Sequence, residues 1–314
     1  MRAKNKTVDV IIPTYKPGKQ FFTLLKMLSR QTVPVSRIIV MNTEEKYFDR
    51  LVYGTDFAEK YRNVEVYHLS SFEFDHGRTR NEGAKRSDAE VFVCLTQDAM
   101  PQNERMIEEL LKGLSQKDVA VAYGRQLPAE DCHILERFTR GFNYPEKPCI
   151  KSKADLERLG IKTYFCSNVC AAYDKEIFKK QGGFIRHTIF NEDMIYAAGA
   201  VQAGYRIAYV PKAEVIHSHN YTNMEQFRRN FDLGVSQADH PEIFENVLSE
   251  SEGIRMVKQN IRYLQEHGAA GQIPALIVKS GFKFIGYRLG KSYQRLPRKL
   301  VVKCSMNRNY WKRM

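Results

Sequence analysis

The sequence predicts an α/β fold in which a mostly parallel central sheet is covered by helices on both faces. Short runs of β-branched residues alternate with helical patterns through the first half of the 314-residue chain. This alternation is typical of parallel strands that are joined by helical crossovers. A composition that is 43% hydrophobic is typical of a folded protein of this size. The six cysteines lack the paired spacing of a zinc site, so we interpret them as reduced thiols.

The strands and helices of the first half follow one another in a regular order. Strands are predicted over VDVIIPTY, RIIVMNT, VEVYHL, AEVFVCL and VAVAYGRQL, and helices over residues 21–28 and 106–114. Because parallel sheets bind ligands at the carboxyl ends of their strands, we expect a site where these strands end. The candidates at those ends include Pro13, Thr14, Tyr15, Asn42, Gln97 and Asp98.

The second half is predicted to begin with an irregular region and to end in helices. Residues 134–162 are rich in charge and proline, so we expect a long loop with helical pieces over the site. Order returns with TYFCSNVCAAYD, and a helix and a strand are predicted over NEDMIYAAGAVQAGYRIAYVP. Further helices are expected from about Asn223 and over residues 251–267. We divide the chain into a domain over residues 1–235 and a helical, basic extension over residues 236–314.

Asp98 and the pair Glu192 and Asp193 are the candidate functional carboxylates. Asp98 follows an apolar run, so it lies at a strand end, where a carboxylate can reach a hard cation together with phosphate oxygens. A turn or helix-capping role is the alternative, and the motif alone does not decide between them. Glu192 and Asp193 open an amphipathic helix, where acidic residues commonly serve as caps. Their place after a Gly-Gly-Phe turn favours a functional role, and a helix N-terminus favours the ionised form that a base needs.

His217 and His219 follow the strand that is predicted after this helix. Neutral imidazole is a competent ligand for a transition metal, although a histidine at a strand end more often lies at the surface or packs in the fold. We expect only one of the two imidazoles to face the site.

Several motifs together resemble a known family, the inverting family 2 glycosyltransferases of the GT-A fold. They are VIIPTYKPG, HGRTRNEGAKRS, LTQDAMP, GGF followed by NED, and VIHSHNYT followed by FRRNFDLG. Within the family the chain resembles bacterial rhamnosyltransferases that use a deoxythymidine diphosphate rhamnose (dTDP-rhamnose) donor. The resemblance covers about residues 7–235, and it implies a Rossmann-like nucleotide-binding domain of the GT-A type.

The resemblance implies a set of contacts to the nucleotide-sugar donor. In such enzymes the end of the first strand packs around the nucleobase and ribose, and a turn matched here by residues 78–83 faces the nucleotide. The acidic residue that is common after the second strand is absent, and an asparagine stands there instead. The donor contacts implied in this way are Pro13, Thr14, Tyr15, Asn42, Arg80, Asn81 and Gln97.

The resemblance also implies a metal site and a catalytic base. The family's Asp-x-Asp motif is matched by Thr-Gln-Asp, so Asp98 is its remaining carboxylate. A histidine after the following strand completes the metal shell in some relatives, and we favour His217 over His219. Asp193, with Glu192 beside it, matches the catalytic acidic pair. The implied cofactor is a divalent metal, Mg²⁺ or Mn²⁺.

Arg228 and Arg229 lie on the next predicted helix. Arginine presents a fork of donors that suits phosphate oxygens, so the pair is a candidate contact for the donor diphosphate. A solvated basic face is the alternative. We favour the phosphate contact because the helix follows the histidine segment directly.

The last part of the chain is strongly basic. Residues 273–290 mix large apolar side chains with cations, a pattern that suits a helix lying in a lipid headgroup layer. The alternatives are packing on the domain, pairing of two copies into a homodimer, or nucleic-acid binding, and we expect no nucleic-acid partner. No signal peptide or membrane span is predicted, so we expect a cytoplasmic protein at the inner membrane face. The basic residues after Glu266 are Lys279, Lys283, Arg288, Lys291, Arg295, Arg298, Lys299, Lys303, Arg308, Lys312 and Arg313.

The resulting hypothesis is a rhamnosyltransferase of cell-surface polysaccharide synthesis. It would move rhamnose from dTDP-rhamnose onto a lipid-linked saccharide with inversion, and Asp193 would deprotonate the acceptor hydroxyl. One alternative is the same fold with another donor, such as a uridine diphosphate hexose. The other is a non-catalytic basic adaptor that binds membranes or nucleic acid through its tail.

Overall fold

A computed structural model describes residues 6–245 and 250–313, and its centre is one nine-stranded mixed sheet. Residues 1–5, on which the prediction about the N-terminus partly rests, lie outside the described residues. The strands are β1 Val8–Tyr15, β2 Arg37–Thr43, β3 Val64–Leu69, β4 Val91–Leu95, β5 Met100–Pro101, β6 Val119–Leu127, β7 Cys149–Lys151, β8 Cys170–Asp174 and β9 Arg206–Ile216.

The sheet is parallel in its first half and mixed beyond it. Its order is β3-β2-β1-β4-β8-β6-β9-β5, and β7 pairs with β9. Strands β3, β2, β1 and β4 are parallel, and β6 and β9 are parallel to each other. Strand β8 is antiparallel to both of its neighbours. The α/β fold class predicted from the alternation is confirmed, and its first half has the predicted parallel order.

The helices cover both faces of this sheet. The apolar face of β1 that includes Val10 and Ile12 packs with α1 and α5, whereas Ile11 packs on the other face with α4 and α9. The helices are α1 Gln20–Ser29, α2 Glu45–Val52, α3 Phe57–Lys60, α4 His76–Arg86, α5 Met106–Leu114, α6 Ile134–Asn143, α7 Leu156–Leu159, α8 Lys175–Lys180, α9 Glu192–Gln202, α10 Asn223–Asp239, α11 Pro241–Phe244, α12 Glu250–Glu266, α13 Ile273–Lys291 and α14 Arg298–Cys304.

The region predicted as a long loop over residues 134–162 is more ordered than expected. It contains the helix α6 and the short strand β7, which pairs with β9 at the register Ile150 to Ala208. The sequence pattern does not predict this strand. A three-residue strand is too short to show a period of two, so pairing with β9 is what defines it.

The C-terminal helices pack directly on the helix that follows the sheet. A Cβ on Gly286 or Gly290 of α13 would collide with the backbone of α10, so these glycines allow the two helices to touch. Residue 235, where we divide the chain, lies inside α10. The division into two domains remains a prediction, and the packing joins α13 closely to the preceding part of the chain. Among the described residues, no helix is both long enough and apolar enough to cross a membrane.

Candidate active site

The carboxyl ends of β1 and β2 are joined by buried polar side chains. Thr14 Oγ1 donates to Asn42 Oδ1 over 3.0 Å, and Asn42 Nδ2 donates to the Glu44 carbonyl over 3.2 Å. Both side chains are buried. Their bonds within the fold give Thr14 and Asn42 a positioning role at the strand ends, and the implied donor contacts of these two residues remain predictions.

Gln97 holds the end of β1 from the loop after β4. Its Nε2 donates to the Tyr15 carbonyl and its Oε1 accepts from the Tyr15 amide, each over 3.0 Å. These two bonds extend the ladder between β1 and β4 by a side chain. They use the Gln97 amide within the fold and leave the Tyr15 ring 48% exposed. Pro13 lies inside β1, paired in register with Met41.

Asp98, His217 and His219 converge at one point. Asp98 Oδ2 lies 3.5 Å from His217 Nε2 and 3.4 Å from His219 Nε2, and the two Nε2 atoms are 3.1 Å apart. The expectation that only one histidine faces the site is therefore wrong. Residues two apart along an extended chain lie on the same side, so both imidazoles reach Asp98.

Gln126 orients the His217 ring. The Oε1 atom of Gln126 lies 3.0 Å from His217 Nδ1, and Arg140 Nη1 donates to the same oxygen. Because an amide oxygen only accepts, Nδ1 of His217 carries a proton, and Nε2 is the ring nitrogen that faces Asp98. Histidine ligands of metals are commonly oriented by a hydrogen bond from the second ring nitrogen. The arrangement is therefore suited to cation binding.

The protonation states of Asp98 and His219 also suit a cation. Burial and the neighbouring His217 together lower the pKa of His219 to about 4, so His219 is neutral near pH 7. Burial alone would raise the pKa of Asp98, but its hydrogen bond to His217 and that residue's charge hold the pKa well below its usual range. One carboxylate and two imidazoles, which bind metals in their neutral form, are a donor set that suits a transition ion such as Mn²⁺ better than Mg²⁺.

Asp193 lies in the first turn of α9, and both of its carboxylate oxygens accept backbone hydrogen bonds. Oδ2 accepts from the Asn168 amide over 2.9 Å and Oδ1 from the Met194 amide over 2.8 Å. Burial, together with the adjacent charge of Glu192, raises the pKa of Asp193 to about 7. A pKa near neutral pH is what general base catalysis requires, because such a group both accepts and releases a proton.

Glu192 lies beside Asp193 in a buried ion pair. Its Oε1 is 3.1 Å from Arg80 Nη1 and accepts from Asn168 Nδ2 over 3.1 Å. Arg80 also donates to the His76 carbonyl over 3.0 Å. These contacts give Glu192 and Arg80 positioning roles around Asp193. A catalytic role for Glu192 and a donor contact for Arg80 remain predictions.

Asn81 joins α4 to the Gly-Gly-Phe turn that precedes α9. Its Nδ2 donates to the Phe184 carbonyl over 2.7 Å, and its Oδ1 accepts from the Phe184 amide over 2.9 Å. Gly183 beside it has a φ of 79°, a conformation that favours glycine. These two bonds give Asn81 a positioning role, and its implied contact with the nucleotide-sugar donor remains a prediction.

A hydrogen-bond network that the sequence pattern does not reveal connects Asp193 with the cluster of Asp98, His217 and His219, which we call the metal-type cluster. The backbone of Asn168 binds Asp193, and the adjacent Ser167 Oγ accepts from Gln126 Nε2 over 2.9 Å. Gln126 in turn binds His217. Gln126 is a polar residue in the largely buried run VAVAYGRQL, and Asn168 lies two residues before the strand β8. Buried polar residues next to apolar strands are the signal that could have identified both.

A cleft of about 370 Å³ opens beside the strand ends, and only one arginine of the predicted pair lines it. Arg229 lines this cleft and stacks on the rings of Phe190 and Tyr221 at 4.6 and 5.9 Å. Tyr221 stacks on His219 at 4.9 Å, so Arg229 lies between the cleft and the metal-type cluster. Arg228 does not line the cleft, and its charge acts on Glu225 and Cys304 instead. Of the predicted pair, Arg229 therefore lines the cleft and Arg228 does not.

Comparison with known proteins identifies the family of this chain. Residues 9–182 match the family described as Glycosyl transferase family 2. The chain is 41% identical over 306 residues to the O-antigen chain rhamnosyltransferase RfbN of Salmonella typhimurium, covering 97% of this chain and 96% of the relative. It is 40% identical over 305 residues to the O-antigen chain rhamnosyltransferase WbaN of Salmonella anatum, covering 96% and 95%.

Solved structures share the fold at low identity. One is mannosyltransferase PcManGT from Pyrobaculum calidifontis in complex with GDP-Man and Mn²⁺, with a TM-score of 0.57 at 15% identity. The match covers 98% of this chain and 85% of the PcManGT chain. S. aureus TarS 1-349 in complex with UDP-GlcNAc has a TM-score of 0.51 at 17% identity and covers 92% of each chain. The fold class and the enzyme class predicted from the motifs are thus confirmed, and a non-catalytic adaptor is set aside. This chain belongs to glycosyl transferase family 2.

Proposed function

We propose that this glycosyltransferase moves a rhamnosyl group from dTDP-rhamnose onto a lipid-linked saccharide during the synthesis of a surface polysaccharide. The observation that carries the proposal is the network in which Asp193, with a pKa of about 7, connects through Asn168, Ser167 and Gln126 to His217. A base beside a cation site is what a direct displacement at a sugar carbon needs. The two relatives at 41% and 40% identity support rhamnose as the sugar.

The proposed displacement proceeds in one step. The acceptor hydroxyl gives its proton to Asp193, and its oxygen forms the new bond to the anomeric carbon of the donor sugar. The bond from that carbon to the diphosphate oxygen breaks, and the electron pair leaves with the diphosphate. Attack opposite to the leaving group inverts the configuration at the anomeric carbon. Arg229 lines the cleft, which supports our proposal that it binds the diphosphate.

A divalent metal fits the cluster of Asp98, His217 and His219. Each residue offers one ligand atom, and these atoms lie within 4.8 Å of one another. A bound ion would neutralise charge that develops on the leaving diphosphate. Two imidazoles favour Mn²⁺ over Mg²⁺ as the ion.

Donor identity is tested by direct hydrolysis and transfer assays. The purified chain is incubated with Mn²⁺ and either dTDP-rhamnose, a uridine diphosphate hexose or guanosine diphosphate mannose, and release of the nucleotide is measured with and without an acceptor. We expect turnover with dTDP-rhamnose. Turnover with a hexose donor while dTDP-rhamnose remains intact would overturn the proposed donor in favour of the alternative.

The exposed face of α13 suits a membrane surface, where a lipid-linked acceptor would lie. Ile277, Val278, Phe284 and Ile285 are each at least half exposed and recur at a helical spacing. No acidic residue follows Glu266, so this part of the chain is cationic. Apolar side chains on a cationic surface bind anionic lipid headgroups. We therefore propose peripheral binding to the cytoplasmic face of the membrane.

Surface substitutions test this binding better than truncation, because removal of α13 would expose the buried face of α10. We expect the double substitution Phe284→Ser and Ile285→Ser to lower sedimentation with vesicles that contain anionic lipid. Tyr53→Ser, at an exposed position at the end of α2, is the matched control and should sediment like the wild type. Unchanged sedimentation of the double variant together with a loss of dimers would assign this face to a homodimer instead.

A further inference from the structure

We propose that residues 306–309, close to the end of the chain, recognise the nucleobase of the donor, an inference that rests on the proposed function. The cleft beside the strand ends is lined by Tyr15 and Thr43, from the ends of β1 and β2. Met306, Asn307 and Asn309 line the same cleft. The segment 306–309 thus forms a wall of the donor cleft although it lies outside the residues that match the family.

One end of the 306–309 segment is held by a buried carboxylate of α10. Asp232 Oδ2 accepts from the Met306 amide over 2.9 Å and from the Asn307 amide over 3.2 Å. Burial raises the pKa of Asp232 to about 6. Two backbone donors on one carboxylate oxygen fix the direction in which the chain leaves α14. The segment is therefore placed by the fold.

The other end of the segment is held by aromatic packing. Tyr310 and Trp311 are buried against Phe231 and neighbouring apolar residues. The Tyr310 ring also stacks on His187 with ring centres 4.7 Å apart and an angle of 13° between the planes. Because both ends are held, the wall has a defined position before any ligand binds, which lowers the entropy cost of recognition.

The apolar part of the cleft suits a flat ring. Tyr15 is 48% exposed and Met306 is 40% exposed, and Phe74 and Phe190 also line the cleft. Exposed aromatic and apolar side chains that line one cleft suit a planar ligand, since base stacking on aromatic rings is favourable. The metal-type cluster does not line this cleft, and Arg229 lies between the two. A diphosphate that contacts both the metal and Arg229 would therefore leave the nucleobase toward the 306–309 segment.

The polar groups around the cleft suit the edge of a nucleobase. Thr43 Oγ1 is buried without a hydrogen-bond partner among the described residues. Asn307 uses its Oδ1 to accept from the Tyr310 amide over 3.2 Å, whereas no bond from the Asn309 side chain is found within the described part of the chain. A carboxamide both donates and accepts, as the edge of a pyrimidine does. Asn309 is therefore the residue that we assign to base recognition.

The test compares nucleotides with a ligand that has no base. Binding of dTDP, uridine diphosphate, guanosine diphosphate and inorganic pyrophosphate to the full chain is measured by calorimetry in the presence of Mn²⁺. We expect Asn309→Ala to weaken dTDP binding about tenfold and to narrow the preference for dTDP over guanosine diphosphate. Pyrophosphate binding should be unchanged, because pyrophosphate cannot reach the base contact.

Arg308→Ala is the matched control, because Arg308 lies in the same segment but does not line the cleft. It should change the affinities for dTDP and pyrophosphate by the same factor. Equal weakening of both ligands by Asn309→Ala, or no change in dTDP binding, would overturn the inference. A changed KM for the acceptor with unchanged dTDP binding would also overturn it, in favour of an acceptor contact. If the wild-type chain binds no nucleoside diphosphate, the proposed function itself fails.

Discussion

The two ends of the site shift the pKa values of their carboxylates, Asp98 and Asp193, in opposite directions. Asp98, at the metal-type end, has a side chain that is 41% exposed, and its pKa is held well below the usual range by His217 against the effect of burial. Asp193, at the base end, has its pKa raised to about 7 by burial and by the charge of Glu192. Environments that drive two carboxyl pKa values apart assign different tasks to the two groups. One remains ionised for a cation, and the other can take up a proton.

The two ends also differ in how completely they are bonded. Asp193 receives two backbone donors, and its neighbour Glu192 is paired with Arg80. Asp98, His217 and His219 instead present their ligand atoms to one another. A carboxylate that only takes up a proton can accept several hydrogen bonds from the fold. Ligands of an exchangeable cation must instead keep their ligand atoms accessible to that cation. The predictions that follow test this difference, from the largest effect to the smallest.

The largest effect is expected for Asp193→Asn. Loss of the base should lower kcat by roughly 10²–10⁴-fold, because the acceptor hydroxyl then has no proton acceptor. Binding of the donor nucleotide should change little, since the substitution keeps the size of the side chain. Asp56→Asn, at an exposed position before α3, serves as the control. Full activity of the Asp193→Asn enzyme in a transfer assay would remove Asp193 from the mechanism.

Asp98→Ala is expected to lower activity by at least about 100-fold, the effect of losing several kcal/mol of charge stabilisation. In contrast to Asp193→Asn, it should also abolish the dependence of donor binding on a divalent metal. Chelation of the wild-type enzyme should have the same effect, and Mn²⁺ should restore activity better than Mg²⁺. Undiminished turnover in a chelator would show that the cluster does not serve a cation.

Gln126→Leu should weaken metal binding by roughly 10–100-fold, the usual effect of removing a group that orients a histidine ligand. The substitution removes the acceptor of His217 Nδ1 and the donor to Ser167, but it leaves all three proposed ligands in place. Titration of the apoprotein with Mn²⁺ measures the change. An unaltered affinity for Mn²⁺ would limit Gln126 to a structural role.

The pH dependence gives the smallest effect, about tenfold for each pH unit below the pKa of the base. Because the pKa of Asp193 is raised to about 7, the group is protonated below that pH and cannot accept a proton. We expect kcat/KM to fall as the pH is lowered below about 7 and to level off above it. Asp193→Asn should lose this dependence. A profile that stays flat down to pH 5 would contradict the raised pKa.

Local patterns in the sequence were sufficient for much of the site. The run Val91–Leu95 places Asp98 after a buried strand, and the turn before α9 places Asp193 in the first helical turn. Both placements depend on period and on turn residues, which are local properties. The pairing of the two histidines on one side was not anticipated. Residues two apart lie on the same side only where the chain is extended, and the fold decides whether the chain stays extended after β9.

The sequence alone therefore determined the α/β class, the strand ends at which polar residues collect, and the place of the acidic pair at the start of α9. Only the tertiary structure decided which polar atoms are already bonded and which remain available. In the folded chain, the side chains of Asn42, Asn81 and Gln97 form hydrogen bonds within the protein. Gln126 connects the surroundings of Asp193 to His217, and residues 306–309 line the same cleft as Tyr15. The reason is physical. Propensity and hydrophobic period act over a few neighbouring residues, whereas these contacts join side chains that are distant in the chain and meet only when the sheet and helices pack.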